Sequence, residues 1–211
     1  TGTGSAKTIS HSLSAVPHWI ISKEKTGSVN DWVVYHHKNT SAPETDKIIL
    51  NEANATSDDS CWNDTTPTSS VFSVSGASVV NRNSSTYVYY LWSEKKGFSK
   101  FGSYTGNNAA AGPFIYTGFR PAWIMIKDTS AANSWHIRDN KRSTSNPSIN
   151  FLVPNTNAAE VTAGEKIDLL SNGFKIRQTG GKLNDSGNVY IYMAFAESPF
   201  VNSNGVPTNA R

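Results

Sequence analysis

Pro17-His18-Trp19-Ile20-Ile21-Ser22-Lys23 returns as Pro121-Ala122-Trp123-Ile124-Met125-Ile126-Lys127, and Tyr87-Val88-Tyr89-Tyr90-Leu91-Trp92-Ser93-Glu94 returns as Tyr190-Ile191-Tyr192-Met193-Ala194-Phe195-Ala196-Glu197. What repeats is aromatic strand sequence, not a catalytic constellation. Trp32 and Trp135, and Phe72 and Phe174, keep nearly the same spacing, so the register drifts by only a residue or two, within loops. Thr1-Gly2 matches Thr105-Gly106, which starts the second copy near Ser103 and leaves the first a residue or two short of the same leader. The chain reads as a tandem duplication, with about a hundred residues per unit, enough for a small core in each.

Composition sets the class. Charged residues make up 17% of the 211, hydrophobic residues 37% and aromatic residues 11%, with Ser, Thr, Asn and Gly filling much of the rest. That balance belongs to loop-rich all-β proteins. The 19 basic and 16 acidic residues give a net charge of +3, without the Lys/Arg block that a nucleic-acid groove needs; nucleic acid is not an expected partner. Cys61 stands alone, which excludes an intrachain disulfide and a Cys-rich metal framework. No stretch approaches eighteen consecutive apolar residues and no charged-then-apolar leader opens the chain. The expectation is a soluble chain with no membrane insertion and no export address of its own.

Apolar runs of five to eight residues, rich in β-branched and aromatic types, predict strands near residues 17–24, 32–37, 47–50, 71–75 and 86–93, and again near 122–127, 135–139, 149–153, 173–177 and 189–197. Both alternating sets in Tyr87–Trp92 are apolar, which predicts a central strand covered on both faces. The turns Asn81-Arg82-Asn83-Ser84 and Asn184-Asp185-Ser186-Gly187 feed the matching late strands. The expected fold is all-β: two tandem related antiparallel β-sandwich units, jelly-roll or lectin-like, spanning 1–98 and 99–200 with a tail at 201–211. A short connector, Lys95-Lys96-Gly97-Phe98-Ser99-Lys100-Phe101-Gly102, predicts docked phenylalanines and a tight seam, because it is not a flexible Gly/Ser spacer. Lys23 and Lys127 end the early strands and Glu94 and Glu197 the late ones. Their repetition predicts paired charges, set against two independently solvated strand ends, which would contribute only about 0–1 kcal/mol.

Further segments carry a resemblance: the Thr-Gly opening, Trp62-Asn63-Asp64-Thr65, Phe98 through Asn107, Phe119-Arg120-Pro121-Ala122-Trp123, Ser171-Asn172-Gly173-Phe174-Lys175 and Tyr190 through Glu197. Together they resemble a tandem-repeat β domain family of bacteriophage structural and tail-fibre proteins, marine phages in particular, and the likeness covers nearly the whole chain. The ending from Pro199 to Arg211 resembles the C-terminus of such proteins. The resemblance implies a virion protein whose C-terminal module meets a host-surface glycan or other envelope receptor, or other virion proteins, as a homo-oligomer that is a trimer by analogy with fibres. It supplies no catalytic motif and no cofactor.

Chemistry in the residues themselves is thin. A glycosidase needs two carboxylates about 5–9.5 Å apart in a cleft, and the acids here lie mostly in polar loops, as in Asp58-Asp59. Adjacent His36 and His37 are expected on opposite faces of a strand, where they cannot readily share one ion, and the acidic loop lacks a regular calcium-binding pattern. No Gly-x-Ser-x-Gly elbow is present. The matched aromatics Trp19, Trp123, Trp32, Trp135, Phe72, Phe174, Tyr87 and Tyr190 are expected in the core. Unmatched residues are the ligand-binding candidates: Trp62 in its polar loop, Tyr35 and His37 on one strand face, and His136, Arg138 and Arg142 in the second copy. A tryptophan among Asn and Asp offers a sugar an apolar face with a hydrogen-bonding rim; the alternative is that Trp62 plugs the edge of its own sandwich. Asn-x-Ser/Thr sequons begin at Asn39, Asn54, Asn63, Asn83 and Asn184 and, in a protein made in a bacterium, reflect loop composition.

Overall fold

The computed structural model describes residues 1–27 and 31–199; the predicted tail at 201–211 lies outside them. The chain divides into two compact units, Thr1–Ser93 and Glu94–Arg211, and both are all-β. In the first, β1 (Lys7–Ser10) pairs with β6 (Val71–Val74), facing a five-stranded sheet in the order β5 (Ser57–Asp58), β4 (Asp46–Ile49), β3 (Val33–His36), β2 (Trp19–Glu24) and β7 (Tyr87–Trp92). In the second, β9 (Phe114–Tyr116), β13 (Gly173–Ile176) and β12 (Ile167–Leu170) form one sheet. β8 (Ser99–Thr105), β14 (Val189–Ala196), β10 (Pro121–Asp128) and β11 (His136–Asp139) form the other. All strand pairs are antiparallel.

Alternation along these strands supplies each core. Ile20, Tyr35, Tyr89 and Leu91 from the larger sheet meet Ile9, Phe72 and Val74 from the smaller in unit one. Ile124, Ile126, Tyr190, Tyr192 and Ala194 meet Ile115, Phe174, Ile176 and Leu169 in unit two. Each unit is therefore a two-layered β-sandwich. The duplication is visible in register: Ile9 lies opposite Phe72 as Ile115 lies opposite Phe174. Trp19, Trp135, Phe72, Phe174 and Tyr190 are fully buried as expected, whereas Trp32, Trp123 and Tyr87 are only half-buried. Trp32 stacks on Tyr90 with the Lys23 ammonium over its ring, and Trp123 leans on Phe195.

Four expectations change. The run near 149–153 forms no strand, only isolated bridges from Phe151 to Val161 and from Leu152 to Ile137. Tyr87–Trp92 is not central: β7 is the end strand of its sheet, and its residues are at most half-buried. The two-faced apolar pattern is realised in its copy β14, which lies between β10 and β8. The supposed connector is the approach to and first half of β8, in which Phe101 is buried while Phe98 stays 45% exposed. Its lysines and glycine disguise the strand because only alternate positions face inward. The repeated Lys–Glu pairs do not form. Antiparallel register sets Lys127 opposite Ile191 and Pro121 opposite Ala196, so Lys127 and Glu197 sit at opposite ends of one ladder. Lys23 lies opposite Val88, and β7 then runs away from it toward Trp92. Glu197 pairs with Arg120 at 3.2 Å and Glu94 with Lys100 at 2.8 Å, while Lys127 donates to the Asp128 and Ala131 carbonyls.

One buried side chain per unit ties the layers to their leader. Asn81 accepts from Thr3 N at 2.9 Å and donates to the Ser5 and Ser75 carbonyls at 2.6 and 2.9 Å. Asn184 accepts from Asn107 N at 2.9 Å and donates to the Ala109 and Gln178 carbonyls at 2.9 and 2.7 Å. The next residue on closes the same turn in both units: Arg82 N donates to Tyr87 Oη and Asp185 N to Tyr190 Oη, each at 2.9 Å. The leader must pass against this turn without a side chain. A Cβ on Gly2 would lie 2.1 Å from Arg82 O, and one on Gly106 would lie 2.1 Å from Asp185 O. Both contacts are with backbone and cannot yield cheaply. Gly106→Ala and Gly2→Ala are each expected to cost at least about 2 kcal/mol by displacing the leader, as measured by urea unfolding.

Candidate functional site

The structure removes most sequence-predicted ligand residues from the surface. Trp62 is 1% exposed. It ends a 3-10 turn, Ser60–Trp62, and its ring meets Tyr35 edge-on at 5.8 Å inside the first core, so it plugs the sandwich. Tyr35 is equally buried, and burial raises its phenol well above the usual range. His36 is buried against Trp19. His37 is half-buried with its ring edge-on to His18 at 4.4 Å. Cys61 is buried, and burial with the neighbouring Asp59 raises its thiol far from nucleophilic use.

In the second unit, His136 and Arg138 are structural. The Arg138 guanidinium is fully buried over the Phe151 ring at 4.7 Å and donates to the Ser148 and Glu165 carbonyls, both at 2.7 Å. It thus pins two points of the segment between β11 and β12, and burial lowers its pKa to about 10. His136 stacks on the same Phe151 at 4.5 Å. Burial, then the Arg138, Lys182 and Lys127 charges, push its pKa down to about 3. Arg142 is engaged by Asp139 at 3.2 Å and by Glu160. Among the described residues no group of three or more His, Cys, Asp or Glu is placed to hold a metal ion.

A concave site with an exposed aromatic lies elsewhere, in a place the sequence reading passed over. β9 is the end strand of its sheet, and alternation turns Ile115 into the core while Phe114 and Tyr116 face outward, 46% and 65% exposed. Tyr116, Thr117 and Gly118 line a cavity of about 170 Å³ with Glu94, Lys96, Gly97, Ser99 and Lys100. Both walls are fixed turns. Thr117 N and Gly118 N donate to Asn172 O, the Thr117 hydroxyl donates to Phe119 O at 2.6 Å, and Gly118 takes the left-handed φ of 82° that the turn requires. Opposite, Phe98 N and Ser99 N donate to Lys95 O at 2.9 Å, and Lys95 N donates to Ser99 Oγ. The Glu94–Lys100 pair rims the cavity and Lys96 is exposed beside it. A planar ring with flanking hydroxyl, carboxylate and ammonium groups on preset turns matches what a sugar needs: an apolar face to stack on and polar groups to bond its hydroxyls. The signal was the apolar–apolar–aromatic run Phe114-Ile115-Tyr116, too short to stand out as a strand.

Two outcomes follow from these placements. Trp62→Ala is expected to cost about 3–5 kcal/mol of stability by emptying core volume, read by denaturant unfolding. His136 also confers acid sensitivity. Its folded pKa lies below the unfolded value of about 6.5, so its contribution is full above pH 6.5 and is lost as pH falls toward 3, by up to about 1.4 kcal/mol per pH unit. Thermal unfolding of His136→Phe across this window should show a shallower decline than the parent.

Comparison with curated proteins and with solved structures gives no match. Residues 1–199, nearly the whole chain and both sandwiches, match the family described as Domain of unknown function (DUF7483). The chain belongs to that family.

Proposed function

We propose that this chain is a non-enzymatic binding module of a virion appendage, such as a tail fibre, and that it holds a host-surface carbohydrate at the Tyr116 cavity. The carrying observation is the 65% exposed Tyr116 ring on the rim of a concave site between two hydrogen-bonded turns. A preset site of this kind costs little ordering on binding. The virion setting rests on the resemblance to phage structural proteins. The described acidic side chains favour binding over turnover because many are already engaged: Asp59 with Lys47, Glu197 with Arg120, Asp139 and Glu160 with Arg142, and Asp168 with Arg177. Asp128 is likewise consumed, accepting from Ser130 N, Ala131 N, Asn133 and Asn188. A second reading, an assembly domain packed on other virion proteins, is favoured by the exposed Phe98 and Phe114 rings.

The test is binding of the fluorescently labelled chain to cells of candidate bacterial hosts, with soluble envelope polysaccharide as competitor. Saturable binding that the polysaccharide abolishes is expected. Tyr116→Ala should weaken it at least about tenfold, the loss of one stacking ring, with the unfolding midpoint unchanged. Binding that survives Tyr116→Ala and Lys96→Ala intact, or is insensitive to the polysaccharide, contradicts the site.

A further inference from the structure

The Tyr116 cavity has room for one ring and carries an unbalanced charge. Its volume of about 170 Å³ is close to the ~150 Å³ that takes up benzene in an engineered core, so a single six-membered ring fills it. Glu94 and Lys100 neutralise each other across 2.8 Å. Lys96 is exposed on the turn between Lys95 and Ser99, where Gly97 takes a left-handed φ of 73°. It has no ion-pair partner among the described residues.

The same imbalance continues along the outward face of β9. Register sets Gly173 opposite Tyr116 and Lys175 opposite Phe114, and opposite residues share a face of the sheet. Phe114 leans over the bare Gly173, where a Cβ would lie 3.1 Å from its Cε2. Tyr116 turns the other way, its hydroxyl 3.6 Å from the Cβ position of Gly118 on the cavity wall. On β12, Asp168 is answered by Arg177 at 3.3 Å, and Lys175 has no ion-pair partner among the described residues. Each of the two exposed rings is therefore accompanied by an ammonium group without a counter-charge: Tyr116 by Lys96, and Phe114 by Lys175. Phosphate is ordinarily met by an Arg fork or by converging N–H groups. Neither is on offer, because Arg177 is engaged, Thr117 N and Gly118 N donate to Asn172 O, and Phe98 N and Ser99 N donate to Lys95 O. Single ammonium groups beside successive rings match single carboxylates on successive sugars.

Resting on the carbohydrate reading above, we propose that the ligand is an acidic glycan, a polymer bearing hexuronate rings. One ring stacks on Tyr116 with its carboxylate on Lys96, and the chain continues past Phe114 toward Lys175. Stacking supplies the contact, and the two lysines select acidic over neutral sugars.

The experiment repeats the competition on candidate host cells with the envelope polysaccharide in two forms: native, and with its carboxylates reduced to primary alcohols, which keeps the rings and removes the charge. The native form is expected to compete at least about fivefold better, the worth of one or two exposed ion pairs. Lys96→Gln combined with Lys175→Gln should remove that preference, and Tyr116→Ala should weaken both forms. Lys25→Gln combined with Lys38→Gln, exposed lysines of the first unit, should leave the preference intact. Equal competition by the two forms, each still weakened by Tyr116→Ala, overturns the acid preference and leaves the carbohydrate reading standing. A native polysaccharide that does not compete overturns both. A preference that survives the Lys96 and Lys175 changes, or that is lost with the Lys25 and Lys38 changes, overturns the proposal as well, because the charge of the whole chain would then account for it.

Discussion

Everything in each unit hangs from one buried carboxamide. A turn leading into the last strand must bring the leader, the preceding strand and the core together, and all three arrive with backbone groups that burial would leave unpaired. An unmade buried hydrogen bond costs about 1–3 kcal/mol, so several left open would offset much of a small domain's stability. Asn81 and Asn184 answer this with a side chain that accepts and donates at once. The same partners recur about a hundred residues later in sequence. A carboxylate could not donate, and the leader passes the turn so closely that a Cβ on its glycine would lie 2.1 Å from the turn carbonyl. The duplication preserved this arrangement together with the apolar strands because neither functions without the other.

The layers were legible because burial imposes alternation on a strand. The apolar runs located β2, β3, β4, β6, β7, β10, β11, β13 and β14 to within a residue or two. β1, β5, β8, β9 and β12 escaped because they are short or mix lysine, glycine and serine into the outward positions. The order of strands within a sheet was not legible. Tyr87–Trp92 reads as central because its sequence matches a strand that is central in the other copy, whereas β7 is the end strand of its sheet among the described residues.

The ligand residues were harder, for a physical reason. Polar and aromatic side chains without a counterpart in the other copy look like surface specialisations, yet Arg138 and Trp62 are unmatched because they solve local packing problems. Arg138 pins the segment between β11 and β12 through the Ser148 and Glu165 carbonyls, where unit one places β4 and β5 instead, and Trp62 fills its core from a 3-10 turn. Likewise Asn81 and Asn184 were recognised as turn residues but not as buried ones, since asparagine in a turn gives no sign of where its side chain goes. Tyr116 was invisible for the opposite reason. Its exposure depends on β9 being the end strand of a sheet, a fact of topology rather than of local sequence.

The most direct measurement is the equilibrium unfolding of Asn81→Asp and Asn184→Asp, changes that keep shape and remove only the ability to donate. Each carboxylate would face two carbonyl oxygens in a buried site, so each variant is predicted to lose at least about 3 kcal/mol at neutral pH, with part restored as the acid is protonated. Variants that unfold within about 0.5 kcal/mol of the parent, the range of ordinary surface changes, would contradict the claim that each of these side chains holds its own unit together.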